Sequence, residues 1–250
     1  LSLLYEVTAS PKPGLVDRFN QGAHKDMDFF TFMASSASLS NYFFDCVEEG
    51  EKYAGRDPGE LFQSLRLLGM EAEKDMFEAT RNVNTHKGLI FSLGIICAAA
   101  ASLMIELRAE NLKAPILCER VARMTEGLSF RELASLKKKE GLTNGEKLYR
   151  KYGLRGIRGE VENGFPTVQK HSLPVYQSLK GKKDLHINEI LIHTLLQLMA
   201  VNEDTNIVAR HDLETLEYVR KYAKEVLDAG GALTELGMKM VYEMDKDFIG

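Results

Sequence analysis

The sequence predicts an all-α protein. Apolar residues recur at intervals of three and four, which places them on one face of a helix, and the strict alternation of a half-buried strand is missing. Runs of β-branched residues are rare along the 250 positions. Helix start and stop signals bracket several of the periodic segments.

The elements follow in order. "FFTFMASSASLSNYFFDCVEEG", residues 29–50, reads as one helix ended by Gly50. The next begins with Asp57 as N-cap, Pro58 at the first position and Glu60 three residues after the cap. Its stripe is Leu61, Leu65, Leu68, Ala72, Met76 and Ala79. Residues 87–110 form a third helix, uncharged over 88–105, about the length of a membrane span. Gly88, Ser92, Gly94, Ser102 and the alanines at 98–101 make it only mildly hydrophobic. Small residues all round a helix suit a central, tightly surrounded position in a bundle, and that is the reading adopted. Helices are expected at 116–127, 130–140, 145–152, 187–200, 213–227 (stripe Leu213, Leu216, Val219, Ala223, Leu227) and 232–247.

Two segments lack helical periodicity. "TASPKPGLVDRFNQGAHKDMD" and "GLRGIRGEVENGFP" are rich in Gly, Pro and charge, and are expected as loops on the helical scaffold, where function usually sits. No tandem repeat or low-complexity linker interrupts the chain, so residues 1–250 are expected to form a single globular domain around the small-residue-rich helix.

Composition is that of a soluble globular protein, with 44% hydrophobic and 27% charged residues. The net charge of −4 supplies no positive field to attract nucleic acid. Cys46, Cys97 and Cys118 are far apart, odd in number and form no CxxC pair, which fits a reducing cytosol. The first residues lack a basic region and a long apolar core, so no signal peptide is expected; nor is a membrane anchor. The chain opens on Leu1 and is expected to begin inside a longer one.

Four polar clusters stand out. In "GAHKDMD", His24, Asp26 and Asp28 alternate, so an extended loop would place them on one side, where the two carboxylates suit a hard cation such as Mg²⁺. The competing reading makes Asp28 the cap of the following helix. "GMEAEKDMFEAT" carries Glu71, Glu73, Asp75 and Glu78, either a solvated face or in part a metal site. "NVNTHKG" puts Asn84, Thr85, His86 and Lys87 at a helix N-terminus, where backbone N–H groups and a Lys favour a phosphate; a purely structural His is the alternative. "GLRGIRGEVENGF" offers Arg155, Arg158 and Glu160 among glycines, and arginines there suit phosphate. Lys12, Arg18 and Arg210 add bases, and Asp204, Thr205 and Asn206 offer a Mg²⁺ or ribose contact or simply a helix stop. Together these describe a site for a nucleoside polyphosphate with Mg²⁺. There is no GxxxxGK[ST] loop and no GxGxxG, which excludes the usual P-loop and dinucleotide-binding designs.

These stretches resemble the triphosphoribosyl-dephospho-CoA synthase family. The resemblance is carried, in family order, by "EVTASPKPGLVDRFNQGAHKDMDFFTF", "LRLLGMEAEKDMFEATRNVNTHKGLIFSLG", "TNGEKLYRKYGLRGIRGEVENGFPTV" and "EDTNIVAR". It implies an all-α fold and transfer of the triphosphoribosyl group of ATP to the 2′-hydroxyl of 3′-dephospho-CoA with release of adenine. The product is the prosthetic-group precursor of citrate lyase or malonate decarboxylase, passed on towards an acyl carrier subunit. It further implies Mg²⁺, a cytoplasmic enzyme and a homodimer as an allowed assembly. Under it, His24, Asp28, His86 and Glu160 become catalytic candidates and Asp26, Glu73 and Asp204 metal candidates. Lys12, Arg18, Asn84, Thr85, Lys87, Arg155, Arg158, Asn206 and Arg210 become nucleotide contacts, all expected around one magnesium-bound polyphosphate. Two other readings use the same residues: a nucleotide N-glycosidase with water as acceptor, and a non-catalytic nucleotide-binding helical protein. The family continues past this chain's "DKDFIG" with an "SPGG"-type motif, so the chain is expected to lack the family's C-terminal segment.

Overall fold

The structure is a computed structural model that describes residues 1–133 and 141–249. Among these residues all regular structure is helical. In chain order the helices are α1 (Ser2–Thr8), α2 (Phe29–Ser38), α3 (Ser40–Lys52), α4 (Pro58–Ala79), α5 (Lys87–Leu107), α6 (Ala114–Met124) and α7 (Leu128–Leu133). They continue with α8 (Asn144–Tyr152), α9 (Gly156–Glu162), α10 (Leu173–Leu179), α11 (Ile187–Met199), α12 (Thr205–Arg210), α13 (Leu213–Asp228) and α14 (Glu235–Ile249). A π turn (Val168–Ser172) leads into α10, and a 3₁₀ turn (Gly231–Leu233) precedes α14. The chain divides into two compact units, one of Leu1–Ser36 with Thr167–Gly250, the other of Ala37–Pro166.

In the unit of Ala37–Pro166, α5 is central and packs against α3, α4, α6 and α9. Its length and apolar composition would suit a membrane span, but Ile90, Ile95, Ala98, Ala99, Ala101, Ser102 and Leu103 are buried against these neighbours. The small residues permit that closeness. A Cβ on Gly94 would stand 2.0 Å from Tyr42 Oη, and that hydroxyl donates to Ile90 O at 2.9 Å. A Cβ on Gly50 would stand 2.3 Å from Ala98 O. Gly50 therefore lets α3 lie against α5, and the expected helix stop at this position is displaced to Lys52. The expected single helix over 29–50 is interrupted at Leu39, whose wholly buried side chain anchors the break.

Asp57 caps α4 as expected, accepting from Gly59 N and Glu60 N. Leu61, Leu65, Ala72 and Met76 are buried, joined by Phe62. Leu68 is only half-buried and Ala79 is exposed. Each fully buried Leu or Met here contributes roughly 1.5–3 kcal/mol of transfer free energy.

In the other unit, α11, α13 and α14 enclose Ile192, Leu196, Val219, Ala223, Val226, Val241 and Met244. Val226 takes the place expected for Leu227, and Leu213 is exposed. α10 packs on α11, and α12 on α13. Helices α1, α10 and α12 have six or seven residues, too short for periodicity to reveal. The helix expected over 130–140 lies outside the described residues beyond Leu133. The segment 153–166, expected as a loop, instead contains α9. Glycine lowers its intrinsic helicity; contacts with α5, α6 and α7 and the wholly buried Val161 compensate.

Candidate functional site

The first polar region lies within the unit of Leu1–Ser36 and Thr167–Gly250. Residues 10–28 form a loop whose shape is fixed by buried polar groups. Asn188 on α11 pins Ser10, accepting from its N–H at 2.9 Å and donating to its carbonyl at 2.7 Å. Asp17, 1% exposed, accepts from the backbone N–H groups of Phe19 (2.7 Å), Asn20 (3.1 Å) and Lys12 (3.2 Å). Asp245 on α14, 6% exposed, accepts from Gly14 N at 3.1 Å and Asn20 Nδ2 at 3.0 Å. The two arms of the loop cross where Ala23 N donates to Gly14 O. Only a glycine fits at position 22, since a Cβ there would stand 2.4 Å from Gly14 O.

This scaffold presents His24. Its Nδ1 lies 2.7 Å from Arg210 Nη1, at the end of α12. Residues 186 apart in sequence thus meet, joining the "GAHKDMD" and "EDTNIVAR" motifs. Arginine can only donate, so Nδ1 accepts and the neutral ring carries its proton on Nε2. Burial lowers the His24 pKa; Arg210 and Lys12 add to this and Asp26 opposes it. The setting favours a neutral imidazole that orients Arg210 and works against an imidazolium acid. Asp26 is exposed beside this pair.

The other candidates in this unit have identified local duties. Lys12 is buried and pairs with Glu6. The exposed Arg18 lies over the Phe19 ring. Asp28 caps α2, accepting from Thr31 N at 2.8 Å and Thr31 Oγ1 at 2.7 Å, and hydrogen bonding from Thr31 holds its carboxyl below the usual range. Asp204 begins a helix rather than ending one, accepting from Asn206 N at 2.8 Å and Ile207 N at 3.3 Å. The Asn206 side chain is exposed at that helix start.

The second region lies within the unit of Ala37–Pro166. Lys87 opens α5 and pairs with Glu73 of α4 at 2.6 Å. Asn84 Oδ1 accepts from Lys87 N at 3.4 Å, Thr85 is half-buried, and the buried His86 donates its backbone N–H to Met76 Sδ at 3.2 Å. Arg158 on α9 donates to Glu132 at 2.7 Å, and Arg66 donates to the same carboxylate at 2.7 Å. Burial pushes the Glu132 carboxyl up, and the two arginines outweigh it to leave a lowered pKa. Arg155 is exposed at the start of α9, and Glu160 is half-buried on it.

Sequence reasoning missed Asp17, Asn20, Glu132 and Asp245. A signal existed for the last: Asp245 follows Val241 by four residues, so an acid stands on the apolar stripe of α14. Among the described residues no group of three His, Cys, Asp or Glu side chains could hold a metal by itself. Asp204 and Glu73 already serve a helix cap and a lysine. The donors fit Mg²⁺ only as an ion brought by substrate phosphates, which needs one or two carboxylates, and Asp26 is the exposed one next to the His24–Arg210 pair.

Residues 1–250 match the CitG family, ATP:dephospho-CoA triphosphoribosyl transferase. The chain belongs to the ATP:dephospho-CoA triphosphoribosyl transferase family. It is 40% identical over 251 residues to a Lactiplantibacillus plantarum protein named "Probable 2-(5''-triphosphoribosyl)-3'-dephosphocoenzyme-A synthase", covering 99% of this chain and 86% of the relative. A Vibrio cholerae serotype O1 protein of the same name is 42% identical over 234 residues, 93% of this chain and 73% of its own length. The Klebsiella pneumoniae 2-(5''-triphosphoribosyl)-3'-dephosphocoenzyme-A synthase is 40% identical over 248 residues, 99% of this chain and 81% of its own length. No solved structure matches the chain. The expected family and all-α fold are therefore both borne out.

Proposed function

We propose that the chain transfers the triphosphoribosyl group of ATP to dephospho-CoA. The carrying observation is the family match over residues 1–250, supported by the meeting of His24 and Arg210 within one unit. In this reaction the C1′–N9 bond of ATP breaks and a bond from C1′ to the acceptor's 2′ oxygen forms. Adenine leaves with the bonding pair and takes up a proton, and the 2′-hydroxyl loses one. The triphosphate stays intact.

In the first unit, Arg210 is a phosphate-binding guanidinium aimed by neutral His24, with Arg18 as a further cation. Lys12 offsets the charge of Glu6 at the root of the loop and acts on phosphate through loop position rather than direct contact. Mg²⁺, when bound with the triphosphate, would neutralise its charge, and Asp26 is the carboxylate placed to share it. In the second unit, the exposed Lys87, with Asn84 and Thr85 beside it in sequence, and the exposed Arg155 are suited to phosphate. Arg158 is committed to Glu132 and stabilises α9, which carries Glu160. A base for the 2′-hydroxyl must be unprotonated before the step and basic enough to accept its proton. Asp28, stabilised as an anion by Thr31, is poorly suited, so Glu160 is assigned that role. His86 is assigned to positioning the start of α5. We further propose a cytoplasmic enzyme that supplies the prosthetic-group precursor of citrate lyase or malonate decarboxylase.

Chromatographic assay of adenine tests the reading. Release from ATP that requires both dephospho-CoA and Mg²⁺ is expected. Equal release with water as the sole acceptor would instead make the chain a hydrolase, and no release under any condition would leave only a binding protein.

A further inference from the structure

Phe19 is 76% exposed, yet its backbone is tied to a buried carboxylate. Its N–H donates to the buried Asp17, and the next residue, Asn20, is tied to both Asp17 and the buried Asp245. A backbone pinned in this way limits where the exposed ring can sit, and leaving the ring in water carries a hydrophobic cost. The Arg18 guanidinium carbon lies 4.9 Å from the ring centre, so a cation covers one face. The same loop carries His24 and, through it, Arg210. An exposed π-face with a neighbouring guanidinium on the loop, and a second guanidinium on α12 held to the same loop by His24, match the two parts of a nucleotide, a flat base and its phosphates.

We propose that Phe19 is a stacking platform for the adenine ring of a nucleotide substrate, with Arg18 reaching that nucleotide's phosphates. This rests on the transferase reading, in which both the donor ATP and the acceptor dephospho-CoA carry an adenine. The shared chemistry is the purine face, and separate titrations decide between the two sources.

The chain contains no tryptophan, so Phe19→Trp in the full chain creates a single tryptophan reporter at the platform, excited selectively beyond the tyrosine band. ATP and dephospho-CoA are titrated separately, with tripolyphosphate as a probe that has charge and no base. Quenching by one or both adenine nucleotides, and none by tripolyphosphate, is expected. Quenching equal for tripolyphosphate, or none for any ligand, would overturn the proposal. In parallel, Phe19→Leu should raise the KM of the quenching substrate roughly ten-fold, as loss of one base–aromatic stack implies. The KM of a non-quenching substrate and the melting temperature should not move, since the ring is exposed. An unchanged KM for both substrates would also overturn it. Failure of the transferase reading looks different: quenching persists while wild type makes no adduct from ATP and dephospho-CoA.

Discussion

Replacing Asp245 tests whether buried polar groups hold the candidate loop in shape. The carboxylate accepts from Gly14 N and Asn20 Nδ2. Asp245→Ala strands two donors, each worth about 1–3 kcal/mol when fully buried. Gly14 and Asn20 are only half-buried and regain some water, so a total of about 2–3 kcal/mol is expected. For a chain of this size that is a fall in melting temperature of roughly 4–12 °C. Asp245→Asn keeps an acceptor for Gly14 but turns its amide towards that of Asn20, costing about one hydrogen bond, roughly 1 kcal/mol.

The pH dependence supplies a second readout. Burial raises the Asp245 pKa, the Gly14 and Asn20 hydrogen bonds oppose this, and the Asp17 charge adds to it. A raised carboxyl pKa means the fold favours the protonated form. That contribution is complete below the unfolded value, about 4, and is lost as pH rises through the folded value. The Asn variant lacks this loss, so it should gain on wild type as pH rises from about 4 towards neutrality. Differential scanning calorimetry of the three proteins across that range is the assay. An Ala variant melting within about 1 °C of wild type, below the smallest shift expected, would refute the reasoning, as would a pH-independent gap between Asn variant and wild type.

Other perturbations probe the remaining links. Gly94→Ala forces a methyl into the Tyr42 ring and should cost about 1–3 kcal/mol by overpacking, read by chemical denaturation; adding Tyr42→Phe should restore part of the loss. Lys87→Ala should raise the KM for ATP roughly ten-fold, as loss of one charge-assisted contact implies, with less than about 1 kcal/mol change in stability because its Glu73 pair is partly exposed. An unchanged ATP titration would remove Lys87 from the nucleotide contacts. Asp26→Asn should raise the Mg²⁺ concentration for half-maximal activity about ten-fold, and an identical Mg²⁺ curve would dismiss its metal role.

The long helices were legible because a 3.6-residue stripe repeats several times in each. Asp57–Pro58–Glu60 announced α4, and the small residues of α5 announced a surrounded helix. What remained hidden was set by tertiary contact. Gly50 and Gly94 look alike as helix weakeners, and only the approach of Ala98 and Tyr42 shows why each is glycine. The glycines of 153–166 suggested a loop, and packing around Val161 made a helix. At the candidate site, sequence singled out exposed charges well but not their employment. His24 and Arg210 were chosen separately, and their contact depends on a chain separation no local pattern encodes. Asp28 carries two readings in sequence, a site carboxylate or the cap of the next helix, and the structure shows the cap; Asp204, a Mg²⁺ or ribose contact or a helix stop by sequence, begins a helix instead. Asp17 sits in a loop with no periodicity to expose it, and Asp245 leaves only a faint mark, an acid on the apolar stripe of α14.

The most direct test of the central claim is intact-mass analysis of the coenzyme after incubation of the chain with ATP, dephospho-CoA and Mg²⁺. Transfer predicts dephospho-CoA heavier by one triphosphoribosyl group, with one adenine released for each adduct. Unmodified dephospho-CoA beside free adenine, or beside untouched ATP, would contradict it.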